Sequence, residues 1–351
     1  MKLNGVRKWV LAAVAALLVG SQAASAGVLT ATLEPEKSSL GATDDAVFRF
    51  TLYNETDKDL RVLSWYTPLR GVEENIFDVT RDGEPVPYIG RLYKWAQPTP
   101  ADFIRIPAGG SVSAAVELSS VYDMSAAGEY SFQYRVHTAD AVRGAKAADI
   151  TSNVVVLTVD RALVDPMPAT ELGDLFGEDK YRTPGYVSCS SSRQSTLLSA
   201  ISNAESISLK ARNYLNNLSS TLRPTDIAYR TWFGSYTSSR YSTVQSHYNN
   251  IYGAFNGQTV TFHCDCTSSA YAYVYSNQPY RIHLCNAFWN APMTGIDSKA
   301  GTLVHEMSHF SVVAGTQDYA YGTSAAQSLA NSNPSRAISN ADNHEYFAET
   351  R

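Results

Sequence analysis

Alternation with a period of two dominates the first half of the chain. Val47-Phe48-Arg49-Phe50-Thr51-Leu52-Tyr53 sets apolar residues against polar ones, and Tyr130-Ser131-Phe132-Gln133-Tyr134-Arg135-Val136 and Val154–Val159 do the same. Successive side chains of a strand point to opposite faces, so each stretch predicts a half-buried strand. Turn clusters separate them at Asn54-Glu55-Thr56-Asp57, Arg81-Asp82-Gly83, Ala108-Gly109-Gly110 and Ala126-Ala127-Gly128. Many short strands with regular turns predict an all-β sandwich of immunoglobulin-like architecture over residues 27–165. Asp165-Pro166-Met167-Pro168 breaks the pattern and opens a linker, residues 166–179. A second domain follows at 180–351, where the period changes. Leu197, Leu198, Ile201, Ile207 and Leu215 recur at helical spacing within 190–218, and 240–255 predicts another helix. Residues 259–263, 270–275 and 280–285 read as a small sheet, with 270–275 a possible edge for an extended peptide. Helical turns are expected at 325–329 and 343–349.

The first 26 residues have the pattern of a secretory signal. Lys2, Arg7 and Lys8 precede the apolar run Trp9–Val19, and Ala24-Ser25-Ala26 supplies an A-x-A cleavage site. No other stretch approaches membrane-spanning length, so a soluble, extracellular or periplasmic product is expected, and a monomer. Hydrophobic content of 44% with 17% charged residues describes a folded chain, and a net charge of −5 argues against a nucleic-acid partner. All four cysteines, Cys189, Cys264, Cys266 and Cys285, lie in the second half. An even count in an exported chain reads as two disulfides. Cys264 and Cys266 are too near in sequence to favour pairing with each other, which leaves two connectivities open. A zinc site built from His263, His283 and these thiols is the rival reading.

The chemistry concentrates in Gly301–Gly322. His305-Glu306-Met307-Ser308-His309 is an H-E-x-x-H. Positions i and i+4 share a helix face, so His305 and His309 can hold one zinc ion, and Glu306 stands beside it as a base for water. Thr302, Leu303, Val304, Met307, Phe310 and Val313 suit a buried helix, and Gly315 offers its stop. The continuation Gly315-Thr316-Gln317-Asp318-Tyr319-Ala320-Tyr321-Gly322 resembles the G-T-x-D-x-x-Y-G signature of the aspzincin (deuterolysin) metalloendopeptidases. That resemblance implies Asp318 as the third zinc ligand and Tyr321 as hydrogen-bond donor to the oxyanion. It also implies the pairs Cys189–Cys264 and Cys266–Cys285, and an α+β zincin-like fold for 180–351. Thr231-Trp232-Phe233-Gly234, Ala272-Tyr273-Val274-Tyr275, Ala287-Phe288-Trp289 and Asn340–Phe347 extend the likeness over about 186–349.

Within the family the sequence resembles the fungal peptidyl-Lys metalloendopeptidases in particular. By that resemblance Asp342 and Glu345 receive the substrate lysine on the leaving-group side of the scissile bond. Their i, i+3 spacing puts them on one side of a helix start. The same spacing also suits a helix cap, with Asp342 as N-cap and Glu345 at N3. The first domain, lying between a signal and a protease, is expected to be a pro-domain that docks in cis. Residues 180–351 hold 12 basic and 9 acidic side chains, against 16 and 24 in 1–179, so opposite net charges would favour docking. Lys180 follows Asp179 in the linker, and self-cleavage between them would match a preference for cutting before lysine. The expected substrates are proteins and peptides. The alternatives are a deuterolysin-like enzyme of broad specificity and a non-catalytic secreted binding or toxin-like protein.

Overall fold

A computed structural model describes residues 28–41, 44–137, 141–142, 149–160 and 183–351. The signal segment, the linker and Asp179-Lys180 lie outside the described residues. The N-terminal part is β-rich: β1 (Leu29–Pro35), β2 (Ser39–Leu40), β3 (Val47–Asn54), β4 (Leu60–Leu63), β5 (Phe77–Arg81), β6 (Glu84–Pro85), β7 (Arg91–Lys94), β8 (Phe103–Ile106), β9 (Ser111–Glu117), β10 (Gly128–His137), β11 (Asp149–Thr151) and β12 (Val155–Val159). One sheet has the order β1-β3-β9 and a second runs β2-β12-β10-β5-β6, with β11 pairing β10. The alternation predicted for β3 and β10 is realised: Phe48, Phe50 and Leu52 are buried on one, Tyr130, Phe132 and Tyr134 on the other. The two strands meet through their rings, with Phe48 against Phe132 and Phe50 against Tyr134, each at 4.8 Å between centroids. β4 and β8 form a separate antiparallel pair.

The C-terminal part mixes helices with one sheet. Its strands are β13 (Gly185–Val187), β14 (Thr261–His263), β15 (Ala272–Tyr275) and β16 (Arg281–Leu284). Its helices are α1 (Ser191–Asn217), α2 (Ile227–Phe233), α3 (Ser238–Gly257), α4 (Asn286–Asn290), α5 (Lys299–His309), α6 (Thr323–Ser332), α7 (Pro334–Ala337) and α8 (Ala341–Glu349). The buried stripe of α1 differs from the expected one. Leu198 is exposed, and the inward face runs Leu197, Ala200, Ala204, Ser208, Ala211, Leu215. Small residues carry that stripe, so apolar periodicity by large side chains alone misses its direction.

The sheet order is β13-β14-β16-β15-β7. Its last strand therefore comes from the N-terminal part: β7 pairs antiparallel with β15, with Lys94 opposite Ala272 and Tyr93 opposite Tyr273. Two disulfides, Cys189–Cys264 and Cys266–Cys285, tie this region together and leave none of the four thiols for a metal. Among the described residues no helix is long and apolar enough to cross a membrane.

Candidate active site

Helix α5 carries the H-E-x-x-H and is buried along its whole length. Ser298 caps it, its hydroxyl accepting from the Gly301 N–H at 2.9 Å. A Cβ on Gly301 would come within 1.9 Å of a Glu349 oxygen, so glycine lets α8 pack directly on α5. The helix stops earlier than expected, with His309 its last residue and Phe310 its C-cap. Gly315 instead turns the chain back at φ +61°. That reversal brings the Thr316 carbonyl to 2.9 Å from His309 Nδ1. A carbonyl only accepts, so Nδ1 carries the proton and Nε2 presents its lone pair.

The returning loop delivers Asp318. Its two oxygens stand 3.2 Å from His305 Nε2 and 3.2 Å from His309 Nε2. Asn340 holds the loop in place: its side-chain oxygen accepts from the N–H groups of Tyr319 (2.7 Å) and Ala320 (3.1 Å). Sequence reasoning gave Asn340 no role, because a buried amide bonding to backbone leaves no pattern in the chain. The donor set fits zinc. His305, His309 and Asp318 converge within 4.8 Å. Both Nε2 atoms and both Asp318 oxygens are buried without a hydrogen-bond partner. Burial opposes ionisation of Asp318, yet the two imidazoles hold its carboxyl below the usual range. Glu306 lies fully buried on the same helix, neither oxygen hydrogen-bonded, and burial pushes its carboxyl well above the usual range.

A second cluster adjoins the first. Asp342 and Glu345 both project from the first turns of α8 towards His305 Nδ1, at 2.9 and 3.3 Å. They are not a capping pair. Asn340 is the N-cap, and Asp342 Oδ2 accepts from the Gly322 N–H at 2.6 Å. Into this acidic pocket projects the side chain of Lys94 from β7. Its Nζ lies 2.8 Å from Glu345, 3.1 Å from Asp297 and 3.8 Å from Asp342. Burial alone would lower its pKa, but Glu345 and Asp342 hold the ammonium well above its ordinary value. The rings of Tyr271 and Tyr346 lie 5.0 and 5.6 Å from it. Tyr321 faces the junction of the two clusters. Its hydroxyl lies 2.7 Å from Glu74 Oε1 and 2.8 Å from the Tyr93 carbonyl oxygen. Asp297, Lys94 and Glu74 were invisible in sequence, since nothing local marks their association.

Fold and site together define a zinc metalloendopeptidase. The aspzincin family model, described as lysine-specific metallo-endopeptidase, matches residues 219–349. An extracellular protease of Aeromonas hydrophila is 39% identical over 324 residues, covering 88% of this chain and 89% of its own. A peptidyl-Lys metalloendopeptidase of Grifola frondosa is 38% identical over 320 residues, covering 85% and 86%. The solved zinc peptidase from Grifola frondosa is 50% identical, covering 46% of this chain and 97% of its own, with a TM-score of 0.44. The chain belongs to the aspzincin family.

Proposed function

We propose that the chain is the precursor of a secreted endopeptidase that cuts on the N-terminal side of lysine. The observation that carries this reading is the buried Lys94 ammonium among Glu345, Asp297 and Asp342, beside the metal-binding group. A pocket that neutralises one lysine there suits a substrate lysine equally. Residues 1–26 are the export signal, 27–165 an immunoglobulin-like pro-domain and 166–179 a linker. Self-cleavage between Asp179 and Lys180 releases the enzyme, which acts as a monomer. Export agrees with two disulfides in the catalytic part.

His305, His309 and Asp318 would hold one zinc ion. When bound, zinc supplies Lewis acidity and makes water a nucleophile near neutral pH. Glu306 takes the proton of the attacking water and returns it to the leaving amine. Its burial suits that exchange, because a carboxyl removed from water holds a proton more readily than a free one. Tyr321 donates to the oxygen of the scissile carbonyl as negative charge develops there. Asp342 has two duties, since it faces both the lysine pocket and His305 Nδ1. It orients the imidazole while it attracts the substrate ammonium.

Digestion of an unfolded protein by the processed enzyme, with and without a chelator, tests the reading, with cut sites read by mass spectrometry. Chelator-sensitive cuts before lysine are expected. Chelator-sensitive cuts without lysine preference would leave a broad deuterolysin-like protease, and no cuts at all would sink the enzyme reading. Tyr321→Phe is expected to lower kcat by roughly 100-fold or more with little change in zinc content. A kcat within a factor of three of the parent would remove Tyr321 from the oxyanion role.

A further inference from the structure

The lysine in the pocket belongs to the chain itself. Lys94 is 1% exposed although it sits on a strand of the β-rich part. A buried ammonium without partners costs several kcal/mol, so it is tolerated only where carboxylates meet it. All three of the carboxylates that do so, Asp297, Asp342 and Glu345, come from the C-terminal part. The backbone is placed as specifically as the side chain. β7 adds to the edge of β15, the Lys94 carbonyl accepts from the Tyr271 N–H at 2.8 Å, and Arg91 Nε donates to the Tyr275 hydroxyl at 2.9 Å. Strand addition of this kind is how extended peptides are commonly held.

The register decides what the strand imitates. In a peptide cut before lysine, the scissile carbonyl belongs to the residue preceding the lysine. Here that residue is Tyr93, and its carbonyl oxygen lies 2.8 Å from the Tyr321 hydroxyl. We propose that β7 is a built-in pseudosubstrate: Tyr93–Lys94 lies across the site in scissile register, with Lys94 filling the lysine pocket, and keeps the full-length chain latent until an already released copy cuts its linker. This rests on the reading that the pocket takes a substrate lysine.

Two features keep the bond intact. The hydroxyl of Tyr321 has one proton and two acceptors, the Tyr93 carbonyl and Glu74 Oε1. Glu74 Oε1 is the nearer acceptor, so it competes with the carbonyl for the donor that would stabilise charge there. Glu74 Oε1 also accepts from the Trp95 indole N–H at 2.5 Å, one residue beyond the lysine. Trp95 in turn stacks on Trp65 and on Tyr93, at 4.3 and 4.6 Å between centroids. Both sides of the bond are thereby fixed against the movement that attack by water requires.

The test uses the full chain, zinc-loaded and carrying Glu306→Gln so that nothing is cut. A short fluorescent peptide with one internal lysine is titrated against it by anisotropy, alongside its norleucine counterpart. The parent is expected to bind neither. Lys94→Met leaves Glu345 and Asp342 without their cation, and is expected to bind the lysine peptide about 100-fold more tightly than the parent. Binding as weak as the parent's would overturn the proposal. Should Lys94→Met be recovered only as aggregate, Lys94→Arg decides, since it keeps the charge. Its larger head is expected to open the site about tenfold, and no opening would again overturn the pseudosubstrate. An opened site that binds both peptides equally would uphold the occlusion and sink the lysine pocket instead.

Discussion

Glu306→Gln, once its linker has been cut by an added protease, will give a folded, zinc-binding enzyme that hydrolyses peptides on the order of 10⁴-fold more slowly than the processed parent. The amide keeps the shape of the side chain and loses its basicity. Folding is not expected to suffer. Glu306 is fully buried with no hydrogen-bond partner, so glutamine of the same shape removes no contact on which the fold depends. Turnover of a quenched peptide, zinc content and Tm together check this. Zinc content and Tm should match the parent while turnover collapses. The same variant, expressed without other proteases, should remain uncut between Asp179 and Lys180. Cleavage there would assign maturation to another enzyme, and turnover above a tenth of the parent's would remove Glu306 as the base.

The second large effect is expected in specificity. Glu345→Gln in the processed enzyme should reduce kcat/KM for a lysine substrate by on the order of 100-fold, while leaving a norleucine substrate nearly unaffected. Glu345 makes the shortest contact to the ammonium, at 2.8 Å. Truncating one partner of a buried ion pair costs about 3 kcal/mol, which is a factor of roughly 100. Asp342 is a poorer probe, because it also stands 2.9 Å from His305 Nδ1 and its loss would disturb the metal group. Equal losses on both substrates would place Glu345 among the groups that support His305 rather than those that select lysine.

The part of the site that lies within one stretch of chain was legible. The H-E-x-x-H is a helical spacing, and Asp318 and Tyr321 follow within thirteen residues of His309. The acidic pair Asp342 and Glu345 was readable as a pair, though the choice between cap and pocket needed the position of Asn340, two residues before Asp342. The limits of α5 were not legible. Apolar residues continue through Val313, yet the helix ends at His309 so that the chain can fold back and bring Asp318 to the imidazoles. Strand alternation located β3, β10 and β12, because one face of each meets a common core. It could not locate the partner of β7. Lys94 reads as an ordinary polar position in a strand, and the carboxylates that bury it lie some two hundred to two hundred and fifty residues later. Long-range charge pairing has no period, so neither Glu74 nor Lys94 could be singled out.

The shared sheet also bears on when the site is covered. Residues 91–94 leave the ribosome long before 272–275, and domains generally fold as units in the order of their synthesis. The β-rich part can therefore stand ready when the catalytic helix first takes shape. Safety for the producing cell then depends on timing as much as on affinity. An inhibitor added from outside would have to find each new enzyme by diffusion, whereas β7 arrives on the same chain and ahead of the edge it fills.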